Sequence, residues 1–294
     1  MNAVDELEAE LRSAFDAETL SVYADLLQSD GDPRGEIITA DLELAVVHDQ
    51  ALKARRDELV TTCFGELHDI ATCRFGFLDV RITRGNQLAA LAVLLAGAPR
   101  SYIRWLRLGV DGADLSNALQ LVAQHRPDLL VELEVAPPNG ASPIERSLCA
   151  EVAAAAPQLD VLVVRGKDVL AGFTHPDLRA LWVTGYAAIT NPGPFPAVES
   201  LHIELESPPA SRSALPPADV MASAWRARQF PALRRLDLSA NRDSRVSAYR
   251  FLTLSELRAA LHEVRLPRAR GDADRDDVAL VARELPHLRI VRPE

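Results

Sequence analysis

Residues 230–241 read FPALRRLDLSAN and set Leu233, Leu236, Leu238 and Asn241 in the frame L-x-x-L-x-L-x-x-N. Leu236 and Leu238 are two residues apart, so on a short strand both point to one face while Asp237 points to the other. Leu233 closes the same core from the preceding turn. An asparagine at the last position can hydrogen-bond backbone groups where the chain bends away. Such a unit cannot bury its apolar face alone and has to stack on others of its kind.

The shorter frame, apolar-x-x-apolar-x-apolar, recurs along the chain. Its copies are Phe77/Val80/Ile82, Ile103/Leu106/Leu108, Leu130/Leu133/Val135, Leu159/Leu162/Val164, Leu178/Leu181/Val183, Val198/Leu201/Ile203 and Leu261/Val264/Leu266, with a truncated Leu288/Val291. Taking the middle residue as marker, most steps are 26–29 residues, two are 19 and 20, and one is 35. That period is the leucine-rich-repeat range. The expected fold is therefore an α/β leucine-rich-repeat solenoid. Its parallel strands would line the concave face and helices or turns the convex face, in about nine irregular repeats over residues 71–294. Residues 86–97, 113–125, 143–156, 218–229 and 273–285 carry apolar residues at helical spacing and supply the convex segments. The two short repeats leave room only for turns, and the Pro/Ser-rich stretch 207–217 accounts for the longest step as a protruding loop. Asn241 is the only asparagine five residues past a marker, which predicts an irregular curvature.

Charge is distributed unevenly. Residues 1–45 hold twelve acids against Arg12 and Arg34, which accounts for the whole net charge of −10. The acidic head argues against generic phosphate-backbone binding. Hydrophobic residues make up 48% of the chain and aromatics 5%, so the core is aliphatic. Cys63, Cys73 and Cys149 are odd in number and lack C-x-x-C spacing, as expected of free thiols in a reducing cytoplasm. The N-terminal MNAVDELEAELRS is acidic where a secretory signal would be basic and then apolar, and no apolar run reaches a bilayer's thickness. Arginine outnumbers lysine heavily, and with abundant alanine this points to a GC-rich bacterial genome.

Apolar spacing predicts helices over residues 3–15, 18–28 and 36–60. Between the last two, Gly31 suits a left-handed residue after a helix, Asp32 an N-cap and Pro33 a first helical position. Residues 1–70 thus read as an acidic, all-α cap over the open end of the solenoid. The blocks Val22-Tyr23-Ala24-Asp25-Leu26-Leu27 and Gly31-Asp32-Pro33-Arg34-Gly35-Glu36, followed by Arg74-Phe75-Gly76-Phe77, resemble the bacterial repeat-companion domain. The resemblance implies a helical domain leading into leucine-rich-type repeats, and a binding role.

No catalytic, metal or cofactor site emerges. Asp30-x-Asp32-x-Arg34-Gly35 superficially follows a calcium loop but puts a cation where an oxygen ligand is needed. The seven histidines have no paired-ligand spacing, His175 and His287 fit local turn roles, and no phosphate-cradling or nucleophile-elbow motif occurs. The informative set is the strand face opposite the leucines. The residues following the markers are Arg81, Arg107, Glu134, Val163, Trp182, His202, Asp237, Arg265 and Arg292; Trp105 and Glu132 lie in the adjacent column. Aromatics and arginine are enriched at protein-binding hot spots, so Arg81, Trp105, Arg107, Glu134, Trp182, His202, Asp237 and Arg265 form the candidate partner-binding face. For either tryptophan the alternative is packing under a loop or the end cap. The expected function is a non-enzymatic cytoplasmic scaffold or regulatory module with a protein partner and no membrane. Two alternatives stay open. One is an enzyme with a site around Asp25, Asp32 and Glu36; the other, nucleic-acid binding through Arg81, Arg107, Arg265 and Arg292, is disfavoured by the charge.

Overall fold

The computed structural model describes residues 3–13, 15–65, 67–138, 144–165, 173–184, 194–204, 225–241, 248–267 and 271–291. It is a mixed α/β structure built on one open ten-stranded sheet whose strands are neighbours in chain order. They are β1 (Ala71–Arg74), β2 (Phe77–Ile82), β3 (Ile103–Leu108), β4 (Glu132–Val135), β5 (Val161–Arg165), β6 (Ala180–Thr184), β7 (Ser200–Glu204), β8 (Arg235–Asp237), β9 (Glu263–Arg265) and β10 (Arg289–Val291). All pairs from β2 onward are parallel.

Register follows the apolar frame. Val80, Leu106, Leu133, Leu162, Leu181, Leu201, Leu236 and Val264 pair from strand to strand as one column and are all buried. The ladder also ends in a correction. Val264 pairs with Ile290, so the last marker is Ile290 and not Val291. Leu288 still packs inward, but it lies two residues before the marker instead of three, and an edge strand has a single neighbour to impose a register. Val291 therefore joins the opposite face, and Arg292 lies outside the described residues.

Strand β1 was not foreseen. It pairs antiparallel with β2 through the two-residue turn Phe75-Gly76, whose φ angles of 49° and 72° are those of a type I′ hairpin. The Arg74–Phe77 segment is thus a hairpin tip as well as the entry to β2. A phenylalanine in the left-handed region hides the usual Asn-Gly turn signal.

Opposite the candidate face lie α5 (Leu88–Ala96), α6 (Gly112–His125) and α7 (Arg146–Ala155). Further along come α8 (Ala248–Leu254), which the periodicity did not predict, and α9 (Gly271–Glu284). Of the expected helix 218–229, the described end is a single 3-10 turn, Ala227–Gln229; the stretch 207–217 lies outside the described residues. Asn241 is buried and donates from Nδ2 to the carbonyls of Ile203 and Leu238 (2.7 and 2.9 Å), tying its bend to the neighbouring strand β7. His175, also buried, has Nε2 3.0 Å from the Ala156 carbonyl, a local structural role.

The head holds α1 (Ala3–Ser13), α2 (Ala17–Ser29), α3 (Arg34–Leu44) and α4 (Gln50–Phe64). The single helix expected over 36–60 is two. Asp49 starts α4 by accepting from the Ala51 and Leu52 N–H groups. The break lets Ile37 of α3 and Val60 and Phe64 of α4 enter the same core as Val80 and Leu106. The first helices go elsewhere. Leu11, Leu20, Tyr23, Ala24 and Leu27 pack with Phe77, and Phe15, Trp105 and Leu129 lie against that cluster. Phe77 opens β2, Trp105 sits early in β3 and Leu129 precedes β4. So α4 covers the first strands, α1 and α2 lie along the strands' N-terminal ends, and α3 joins both through Ile37 on one side and Ile38 on the other.

Candidate binding face

All eight candidate residues lie on the strand face away from the leucine column. Arg81, Arg107, Glu134, Val163, Trp182, His202, Asp237 and Arg265 pair in register as one continuous row. Trp105 belongs to the adjacent row, where its partners are Asp79 on one side and Glu132 on the other.

The two tryptophans have different surroundings. Trp182 is 47% exposed, the only aromatic among the exposed large hydrophobic residues described. Its ring stacks on His202 with centroids 4.9 Å apart. Trp105 is partly covered by Phe15, which meets it edge-on at 5.6 Å. Beneath it the buried Arg104 lies within cation–π reach of Phe15, Phe77 and Trp105, and its Nη2 donates to the Leu11 carbonyl. One side of Trp105 thus belongs to the head–sheet contact. Phe15 comes from 90 positions earlier in the chain, and no strand pattern announces it.

Most charges on the face fall into two groups. On the β2–β5 side Arg107 lies between Asp79 (3.7 Å) and Glu134 (3.8 Å), and Arg165 reaches Glu134 at 3.3 Å. Arg81 is exposed beside them. On the far side Asp237 is 3.6 Å from His202 Nδ1 and 3.9 Å from Arg265, which also approaches Glu263. Burial would raise the pKa of Asp237. Hydrogen bonds from His202 and from Ser239 outweigh it, and the carboxyl is held down at about 2. Arg165 and Ser239 are contributors that the alternation alone did not single out, because they sit at strand ends. Between the two groups, β5, β6 and β7 present Val161, Val163, Ala180, Trp182, Ser200 and His202 at their first and third positions, with Arg165 and Glu204 on the same face at the C-terminal ends of β5 and β7.

Glu132 lies partly buried on the same face as Asp79 and Glu134. Burial raises its pKa, Arg107 lowers it, and the like charges of Glu134 and Asp79 raise it further, for a net upward shift. The folded state therefore holds this proton more tightly than the unfolded chain, and stability falls as pH rises from the ordinary carboxylate range through the raised value. Glu132→Gln is expected to melt higher than wild type at about pH 7, with the gap closing toward about pH 4. Melting curves at both pH values check this; an equal gain at both would trace the effect to packing instead.

The Asp25/Asp32/Glu36 region is arranged as a helix junction. Gly31 (φ 74°) ends α2, with its N–H and that of Asp32 donating to Gln28 and Leu27 carbonyls. Asp32 accepts from the Arg34 backbone N–H and from Arg34 Nε and Nη2 (2.9, 2.9 and 2.7 Å). Arg34 is 5% exposed; it lies 4.1 Å over the Tyr102 ring and donates to the Tyr23 hydroxyl, which in turn donates to Glu8. Gly35 lets α2 and α3 touch, since a Cβ there would come 2.6 Å from the Ala24 carbonyl. Glu36 pairs with Arg55, and Asp25 is exposed. A groove of about 510 Å³ runs past Asp32, Glu36 and Arg55. Asp41 completes the fastening by accepting from Arg56 and from the Phe75 N–H at the hairpin tip. Gly31, Asp32, Arg34 and Gly35 of the GDPRGE block each have a structural task in this junction.

The thiols are free, Cys63 partly exposed and the other two buried. Burial pushes Cys73 up to about 12 and Cys149 to about 11, and it raises Cys63 as well, so none is an activated thiolate at neutral pH. Among the described residues no group of three or more His, Cys, Asp or Glu could hold a metal ion, and no helix is long and apolar enough to cross a membrane. No protein-family model matches the sequence, and no curated protein matches it.

Proposed function

We propose that the chain is a leucine-rich-repeat solenoid with a helical cap of the repeat-companion kind, acting in the cytoplasm as a non-enzymatic protein-binding module. The observation that carries this reading is the exposed Trp182 on β6, set among Val161, Val163, Ala180, Ser200 and His202, with charged residues around that patch. An apolar, aromatic centre ringed by charge is the anatomy of a protein interface. Nucleic acid is a poorer fit, because Arg107 and Arg265 lie against carboxylates.

Trp182→Ala tests the reading. Pull-down from the native cell lysate supplies the partner, and titration calorimetry on the purified pair supplies the affinity. The substitution should leave the melting temperature almost unchanged, because the ring is half exposed and fills no core. Binding should weaken by about 2 kcal/mol or more, as at hot-spot tryptophans. A large fall in melting temperature with unchanged affinity would make Trp182 a packing residue and remove the proposed site.

A further inference from the structure

Glu132 occupies a distinctive place on the face. It is partly buried on β4 between Trp105 and Val161, its register partners on the two sides. Asp79, Glu134, Asp237 and Glu263 each have an arginine within 4 Å, whereas Glu132 has no hydrogen-bond or ion-pair partner among the described residues. Arg107, whose charge Glu132 feels, lies 3.7 Å from Asp79 and 3.8 Å from Glu134, and among the described residues its buried Nε has no hydrogen-bond partner.

A protein that covers Trp182 also covers Glu132. The two lie two strands and one pair of residues apart, on the order of 12 Å from strand spacing and rise, while a standard interface covers about 800 Å² on each side. Removing the remaining water from an ionised carboxylate is costly unless a counter-charge replaces it. Asp79 and Glu134 add like charge at the same spot. We propose, building on the binding role of this face, that Glu132 receives an arginine or lysine side chain from the partner whose apolar side chain seats on Trp182. In an extended partner segment these two residues stand about four positions apart.

The probe is a random short-peptide library displayed on phage, selected on the full-length protein and then synthesised for binding measurements. Selected peptides should carry arginine or lysine at that spacing from an aromatic or large aliphatic residue. Glu132→Gln, which keeps the side chain's shape, should weaken them about tenfold, and Trp182→Ala should weaken them at least as much. Glu132→Lys should restore binding to a peptide whose basic residue is replaced by glutamate. Peptides that need Trp182 but lack a basic residue, and ignore Glu132→Gln, would overturn the cation site and leave the binding face standing. Peptides indifferent to Trp182→Ala would overturn the face itself. Melting curves of each variant separate lost contact from lost fold.

Discussion

Replacing Leu236 with alanine is expected to destabilise the protein by about 2–5 kcal/mol. Leu236 is 1% exposed and sits between Leu201 and Val264 in the central core column, with Leu238 and Leu233 buried beside it. Truncation removes apolar contact and leaves a cavity that close-packed neighbours on two strands cannot fill without shifting the sheet register. The loss belongs to the folded state's packing, so it should not vary between neutral and mildly acidic pH. Chemical denaturation followed by circular dichroism measures it. A cost below about 1 kcal/mol would be incompatible with this burial. Arg235→Ala, one position away on the exposed face, is the control and should be near neutral.

The second large effect is expected at Arg34. Arg34→Ala removes the cation that Asp32 is built around, takes away a donor to the Tyr23 hydroxyl, and empties the space over the Tyr102 ring. Breaking a buried pair from one side costs about 3–5 kcal/mol. Asp32 keeps some solvent contact, its side chain being 24% exposed, which places the expected loss near the lower end of that range. Arg34→Lys should recover only part of it, because an ammonium cannot reproduce the planar fork on Asp32. Although burial disfavours the charged guanidinium, its hydrogen bonds to Asp32 and the charges around it raise the Arg34 pKa overall, and burial raises that of the Tyr23 hydroxyl. Arg34 therefore stays charged and Tyr23 neutral across the working range, and the loss should be equal at about pH 6 and about pH 9. Proteolysis of the head relative to the sheet, read with thermal melts, checks this. A variant with wild-type protection would mean that the GDPRGE block serves something other than the α2–α3 junction.

Much of this protein could be read from local pattern. Alternation at period two separates Leu236 and Leu238 from Asp237 without reference to any neighbour, and the recurring frame anticipated the paired core column from Val80 to Val264. The bond from Asn241 to Leu238 and the left-handed Gly31 were legible for the same reason, each being set by the backbone a few residues away, whereas the bond from Asn241 to Ile203 crosses to a neighbouring strand. The tertiary structure decided what pattern could not reach. The β1–β2 hairpin turns on a phenylalanine with positive φ, and the register of β10 on one neighbouring strand. Trp105 and Trp182 occupy equivalent faces of their strands, yet Phe15 meets one edge-on while the other is 47% exposed beside His202. Asp32 has its arginine two residues away, whereas Glu132 stands in register between Trp105 and Val161 and shares the field of Arg107 with Asp79 and Glu134. Which way a side chain points follows from the strand it is on. Whether it is paired, covered or left open depends on neighbours brought in from distant parts of the chain, and only folding brings those together.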